Sequence, residues 1–162
     1  MRERRLVLSG FWVLAVLMAA CSASGLTSSA IQPLDWKFVD ADKFTLFVPP
    51  DWNFIKGTGI DSYVGDFSGD GVRLMFDYGR YSNSLAEDND AHYSVTYEAI
   101  DGHRAKLVVP KTKDGEETGV YFADIGSVMI GSAVSFNLVG EKLTKNQQET
   151  AILIFRTLKF KP

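Results

Sequence analysis

This 162-residue chain is poor in the residues that most often bind metals or cross-link a fold: it has one cysteine, Cys21, and two histidines, His92 and His103. A single cysteine excludes a disulfide within the chain. A zinc site usually needs about four Cys, His or carboxylate ligands, and two histidines without a further cysteine do not supply that set. We therefore expect no metal and no cofactor.

The chain also has no surplus of positive charge. Its 17 Lys and Arg residues are outnumbered by 20 Asp and Glu residues, so the formal net charge is −3. Without a basic stripe, nucleic acid is not an expected partner. The loop segment Gly57-Thr58-Gly59 lacks the further glycine and the helix start of a phosphate-binding loop. Nucleotide binding therefore has no support in the sequence.

Catalytic signatures are missing in the same way. The Gly-x-Ser-x-Gly motif of a nucleophile elbow does not occur, and nothing else supports a triad of His103, Asp101 and a serine such as Ser82. A glycosidase-like pair of carboxylates stays an open alternative, because such a pair is assembled in space and not along the chain. We assign no catalytic residue.

The first twenty residues have the anatomy of a secretory signal peptide. Met1–Arg5 is basic, and Leu6–Ala20 is apolar except for Ser9. This apolar run is shorter than the about 20 residues that a transmembrane helix needs. The sequence therefore predicts a signal peptide at residues 1–20.

Cys21 follows Ala19-Ala20 directly. A lone cysteine in this place resembles the lipobox of bacterial lipoproteins, although Met18 stands where Leu is usual. The resemblance implies cleavage before Cys21 and lipidation of its thiol; the alternative is ordinary cleavage nearby. Two or three acyl chains on one residue give stable anchoring to a membrane. We therefore expect a location in the cell envelope, and Ser22 implies the periplasmic face of the outer membrane if the host is Gram-negative.

The predicted mature chain divides into a tether and one domain. Residues 21–33, rich in Ser and Ala, form a flexible connection after the lipid, and residues 34–162 are long enough for a single domain with a substantial core. Removing the charged residues of the signal peptide leaves 14 basic and 19 acidic residues, a net charge of −5. Attraction to anionic lipid is therefore not expected to contribute.

Alternating apolar and polar residues predict a series of antiparallel strands. Asp-Gly between two β-rich runs is a strong hairpin signal, whereas Ser82–Ala91 fits either a loop or a short helix. Thr144 and Gln147 form a capping-box pattern before a helix at about residues 144–157, which we expect to cover the sheet. The fold class is α+β: an antiparallel β-sheet packed by one or two helices, including this C-terminal one. The predicted strands are Trp36–Val39, Phe44–Val48, Tyr63–Phe67, Val72–Tyr78, Tyr93–Ile100, His103–Pro110, Gly119–Ile125 and Ala133–Gly140.

Three features together resemble the PsbP-like family. They are the apolar strand followed by Pro and Trp in Phe44–Trp52, the Asp101-Gly102 turn, and the closing segment Ile154–Phe160. The resemblance implies an antiparallel sheet between helices and an accessory role in place of catalysis. Some members bind metals, but no residue of this chain matches their metal ligands.

Tyr63–Asn83 holds the densest set of polar side chains. Its DFSGDG segment lacks the spacing and the bidentate Glu of an EF-hand calcium loop, so Asp-Gly is interpreted as a turn. The corner from Asp77 to Ser82 at the end of the second strand is the candidate for a polar pocket, and a structural ion pair with a packed corner is the alternative. The candidate ligand-binding residues are Arg73, Asp77, Tyr78, Arg80 and Tyr81.

These observations predict a lipid-anchored envelope protein. The interpretation that fits best is a non-catalytic accessory or binding module for an envelope protein partner. The alternative is a small-ligand-binding protein or a weak hydrolase that uses the Asp77–Ser82 corner.

Overall fold

The computed structural model describes residues 33–112, 116–129 and 132–162. Within these residues the fold is mostly antiparallel sheet with one α-helix, α1 (Lys145–Phe155). The strands are β1 (Lys37–Ala41), β2 (Phe44–Val48), β3 (Asn53–Lys56), β4 (Tyr63–Gly69), β5 (Val72–Gly79), β6 (Tyr93–Ile100), β7 (His103–Pro110), β8 (Glu117–Phe122), β9 (Ser127–Met129), β10 (Ser132–Ala133), β11 (Ser135–Glu141) and β12 (Lys159–Phe160). Cys21, residues 1–20 and most of the predicted tether lie outside the described residues.

The strands form one large and two small sheets. The large sheet has seven strands in the order β3-β4-β5-β11-β8-β7-β6, a second sheet has the order β1-β2-β12, and β9 pairs with β10. Every pairing is antiparallel. The predicted antiparallel architecture is therefore confirmed.

Two Asp-Gly turns close the hairpins that the sequence predicts. Asp70 and Gly71 have φ of 52° and 73°, and Asp101 and Gly102 have φ of 51° and 79°. Positive φ at both central residues is the geometry of a type I′ turn, whose twist matches the flanking strands. The first turn is tighter than expected, since β4 continues to Gly69.

Phe44 of β2 is the centre of the core. It is fully buried, and its ring lies 6.2 Å, 5.0 Å and 4.9 Å from the rings of Phe67, Phe76 and Phe136 in the large sheet. Inward and outward residues alternate along β2, so Leu46 is buried on the same side. The small sheet therefore covers one face of the large one.

The C-terminal helix shares this covering role. Its N-terminus is capped as predicted, with the Thr144 N–H donating to Gln147 Oε1 at 2.9 Å, and Ala151, Ile154 and Phe155 are buried. The helix therefore covers part of the sheet, as predicted, and sheet β1-β2-β12 covers the rest with the larger aromatic contacts. No second helix occurs among the described residues, and none of those residues forms a helix long and apolar enough to cross a membrane.

A loop from Arg80 to His92 lies against the other face of the large sheet. Leu85 is its buried anchor, at 8 % exposure. A Cβ at Gly119 of β8 would lie 2.7 Å from Leu85 Cδ1, so the glycine makes room for this side chain. The sequence allowed a loop or a short helix over residues 82–91, and the structure has the loop.

Glu117 of β8 lies directly opposite Glu141 of β11. Burial, followed by the charges of Glu141 and Glu116, raises the pKa of Glu117 above its usual range. The folded protein therefore holds the proton of Glu117 more tightly than the unfolded chain does. Stability is lost as the pH rises from the pKa of Glu117 in the unfolded chain to its higher pKa in the folded protein. We expect Glu117→Gln to increase the free energy of unfolding by up to about 1 kcal/mol at neutral pH.

The gain should vanish at about pH 3, where carboxyl groups are protonated in both states. Thermal unfolding at the two pH values measures the difference. Glu149→Gln, which removes the same charge from an exposed helix position, is the matched control and should change little. An equal gain from Glu117→Gln at both pH values would contradict the electrostatic explanation.

Candidate ligand-binding cleft

A cleft of about 640 Å³ opens at one end of the large sheet. One wall is the loop from Gly57 to Ser62 that joins β3 to β4, and the other is the end of β5 with Val134. The side chains that line it are Lys43, Lys56, Thr58, Ile60, Asp61, Ser62, Tyr63, Tyr78, Arg80 and Val134.

Two tyrosines form the floor of this cleft. Tyr63 and Tyr78 lie opposite each other in the β4–β5 pairing, and burial raises the pKa of both phenols. The Tyr63 hydroxyl is buried, and the nearby Asp42 carboxylate adds to the rise in the pKa of this phenol. Because the hydroxyl is not accessible from the open cleft, the ring is the part of Tyr63 that a ligand would contact.

Three basic side chains surround the floor, against one acidic side chain, Asp61. Lys56 is engaged: its Nζ lies 2.9 Å from Asp42 Oδ2 and 5.1 Å from the centre of the Tyr63 ring. Lys43 and Arg80 form no ion pair with any of the residues that the structure describes. The cleft therefore offers Lys43 and Arg80, which form no ion pair within the described ranges, against the single charge of Asp61, so its lining has an excess of positive charge.

Ile60 lies at the tip of the β3–β4 loop and is fully exposed. A large aliphatic side chain in this position covers no part of the described core. It adds an apolar contact at the rim of the cleft, within reach of any molecule that enters between the loop and β5.

The five ligand-binding residues predicted from the sequence do not all lie in the cleft. Tyr78 and Arg80 line the cleft, and Tyr81 is 80 % exposed next to it. Asp77 points to the opposite face of the sheet from Tyr78, and its Oδ1 is buried without a partner among the described atoms. Arg73 lies at the far end of β5. The structure therefore brings together two of the five.

Arg73 pairs with Asp66 of β4, at 2.9 Å, and not with Asp77. Residues four apart on a strand are separated by about 13 Å, whereas diagonal neighbours on paired strands are about 7–8 Å apart. The cross-strand partner is therefore the one within reach.

Polar groups that the sequence raised for catalysis or metal binding have structural partners. Ser82 Oγ donates to the carbonyl of Asp77 at 2.9 Å, and Asp101 Oδ2 accepts from the Phe160 N–H at 2.8 Å. The ring of His103 lies 5.4 Å from that of Phe160. No group of three His, Cys, Asp or Glu side chains within the described ranges could hold a metal ion.

Sequence reasoning missed Lys43, Lys56 and the loop between them and Tyr63. Lys56 and the loop come from the edge-strand side of the large sheet, and the pairing of β3 with β4 brings them to the corner. Lys43 belongs to the β1–β2 turn, which reaches the cleft because the small sheet packs on the large one. The available signal was the loop itself, because six residues from Gly57 to Ser62 are more than a hairpin turn requires.

Comparison with known proteins gives little further information. No protein-family model and no curated protein matches the chain. A protein from Bacteroides thetaiotaomicron VPI-5482, known from a crystal structure at 1.50 Å resolution, aligns with a TM-score of 0.41 and 13 % identity. The alignment covers 79 % of this chain and 48 % of the other, so this chain spans about half of that protein's length. A similarity of this size supports no statement about function.

Proposed function

We propose that this is a lipid-anchored protein of the cell envelope whose domain is a non-catalytic accessory module of PsbP-like type. In this proposal Cys21 carries the lipid and residues 21–33 hold the domain at the membrane surface. The domain binds a segment of an envelope protein partner in the cleft between the β3–β4 loop and the end of β5.

The observation that carries the binding role is the composition of the cleft. Two tyrosines and Val134 supply an apolar lining, and Lys43 and Arg80 supply positive charge that Asp61 offsets only in part. Binding sites typically combine a mostly apolar lining with a few placed polar groups. Fully exposed Ile60 extends the contact surface beyond the cavity.

The same features define the chemistry of the partner. Two free cations favour a segment with acidic side chains, and the phenol floor favours an aromatic or aliphatic side chain between them. The proposed occupant is therefore an extended acidic segment with at least one large apolar residue.

A small anionic ligand is the second candidate. It is supported by the volume of about 640 Å³, which lies within the range of about 300–1,000 Å³ that is usual for small-molecule sites. Arg80 would provide the donor fork and Tyr78 a ring, as the corner predicted from the sequence implies, and Tyr63 would add a second ring.

Photo-crosslinking from the cleft separates these candidates. A photoreactive phenylalanine derivative replaces Ile60 in the full-length chain, and adducts are collected from intact membranes. We expect one protein adduct of defined mass, whose yield falls at least about tenfold when Lys43→Glu and Arg80→Glu are introduced together, because like charges oppose each other across the interface.

The matched control is Lys37→Glu with Lys145→Glu, which makes the same change of charge at exposed positions outside the cleft. This control should leave the yield unchanged. An adduct that forms equally well in the variant with Lys43→Glu and Arg80→Glu would overturn the proposal. A small anion that co-purifies with the wild type and is lost on charge reversal, without a protein adduct, would establish the second candidate.

A further inference from the structure

A row of polar residues crosses the face of the large sheet opposite the cleft. The strand registers place Asp77 opposite Asn137, Asn137 opposite Tyr121, Tyr121 opposite Lys106, and Lys106 opposite Tyr97. Their side chains therefore share one face of five neighbouring strands. Tyr78, Phe136 and Phe122 point the other way, into the core. The row belongs to the face of the sheet that the cleft does not use, and the loop from Arg80 to His92 covers its Asp77–Asn137 end.

A pocket of about 280 Å³ lies at the end of this row nearest the edge strand β6. Its lining combines two cations and two phenols with one carboxylate. The lining residues are Tyr97, Arg104, Lys106, Tyr121, Ala123 and Asp124.

Lys106 is the unusual member of this set. It is 9 % exposed, and it forms no ion pair or hydrogen bond with any of the described residues. Its Nζ is not one of the buried unpartnered atoms among the described residues, so a buried stem carries an ammonium group that reaches solvent at the pocket. No described carboxylate pairs with this ammonium, so an anion that entered the pocket would meet an unpaired positive charge.

Arg104 supplies a second, oriented cation. Its guanidinium carbon lies 3.9 Å from the centre of the Tyr97 ring, and the Tyr97 hydroxyl donates to Asp88 Oδ1 at 2.7 Å. Stacking on the ring fixes the guanidinium plane and leaves its N–H groups free at the edge. No carboxylate among the described residues occupies them.

Asp124 is the one group in the lining that would oppose an anion. Its Oδ1 accepts the Gly126 N–H at 3.0 Å, so this carboxylate is directed to the backbone of the following turn. The ionised side chains of the lining still sum to one positive charge, with Lys106 and Arg104 against Asp124.

We propose that this pocket is a second binding site, specific for a phosphate group. Lys106 provides a point charge from beneath, Arg104 provides N–H donors from the side, and the Tyr121 ring completes the wall. An Arg fork with a Lys charge is an arrangement that suits phosphate oxygens. The phosphate belongs either to a free anion or to the glycerophosphate part of a lipid headgroup.

Titration of the full-length protein in detergent with inorganic phosphate, and separately with glycerol 3-phosphate, tests this site. Calorimetry and the NMR signals of the Arg104 and Tyr97 side chains are the readouts. We expect saturable binding that weakens about tenfold or more in Lys106→Met, which keeps the buried stem and removes the charge. Lys106→Arg should retain binding within about threefold.

Lys37→Met, the same loss of charge on an exposed strand, should bind as the wild type does. Tighter binding of glycerol 3-phosphate identifies the headgroup as the source, and tighter binding of phosphate identifies the free anion. If Lys106→Met does not fold, Arg104→Gln replaces it as the test variant. Arg104 is exposed, and its substitution should also weaken binding by about tenfold or more. Absence of saturable binding, or equal binding by wild type and the charge-removed variants, would overturn the second site.

Discussion

Phe44→Ala should lower the free energy of unfolding by about 3–5 kcal/mol, the usual cost of truncating a buried phenylalanine. Phe44 is fully buried and touches rings from β4, β5 and β11. Its removal opens a cavity at the junction of the two sheets, where no neighbouring side chain can move in without leaving its own contacts. Denaturant unfolding followed by tryptophan fluorescence measures the loss.

Phe38→Ala is the matched control, because it truncates the same residue type on the adjacent strand β1. Phe38 is 57 % exposed and packs edge-on against Phe47 at 5.5 Å. Losing this contact should cost no more than about 1.5 kcal/mol. If both variants lose the same stability, the core does not lie between the two sheets and the layer arrangement is wrong.

Local patterns in the sequence were sufficient to predict most strands. Each Asp-Gly turn joins neighbours along the chain, so the β4–β5 and β6–β7 hairpins follow from a few residues each. The pairing of β5 with β11 joins residues more than fifty positions apart. No local signal encodes that contact, so the order of the strands was not predictable.

The contribution of the small sheet to the second layer was not predictable for a related reason. The C-terminal helix has clear sequence signals, whereas β12 is only two residues long and pairs with β2 through Thr45 and Phe44. A strand this short has no detectable alternation. Its packing is nevertheless important, because the Phe160 ring lies 4.9 Å from that of Phe122.

The candidate site was predictable only where its residues are consecutive. Tyr78 and Arg80 stand together at the end of a strand, and the structure places both in the cleft. Lys106 gave no sequence signal, since a lysine between apolar residues in a strand usually faces solvent. Its burial depends on the arrangement of β6, β7 and β8, which no single segment specifies.

Cys21→Ala should remove the protein from the membrane fraction. Each acyl CH₂ that enters the bilayer contributes about 0.8 kcal/mol, so two chains hold a protein firmly where one chain does not. The net charge of −5 expected for residues 21–162 offers no electrostatic substitute on an anionic surface. Ser22→Ala, at the adjacent position, should leave membrane retention unchanged.

Lipid attachment at Cys21 is the central claim of the proposed function, and metabolic labelling with an alkyne-bearing fatty acid tests it most directly. The wild type and Ser22→Ala should carry the label on a chain that begins at Cys21, and Cys21→Ala should carry none. A wild-type protein that is cleaved elsewhere and carries no label, or a Cys21→Ala protein labelled as strongly as the wild type, would contradict the claim.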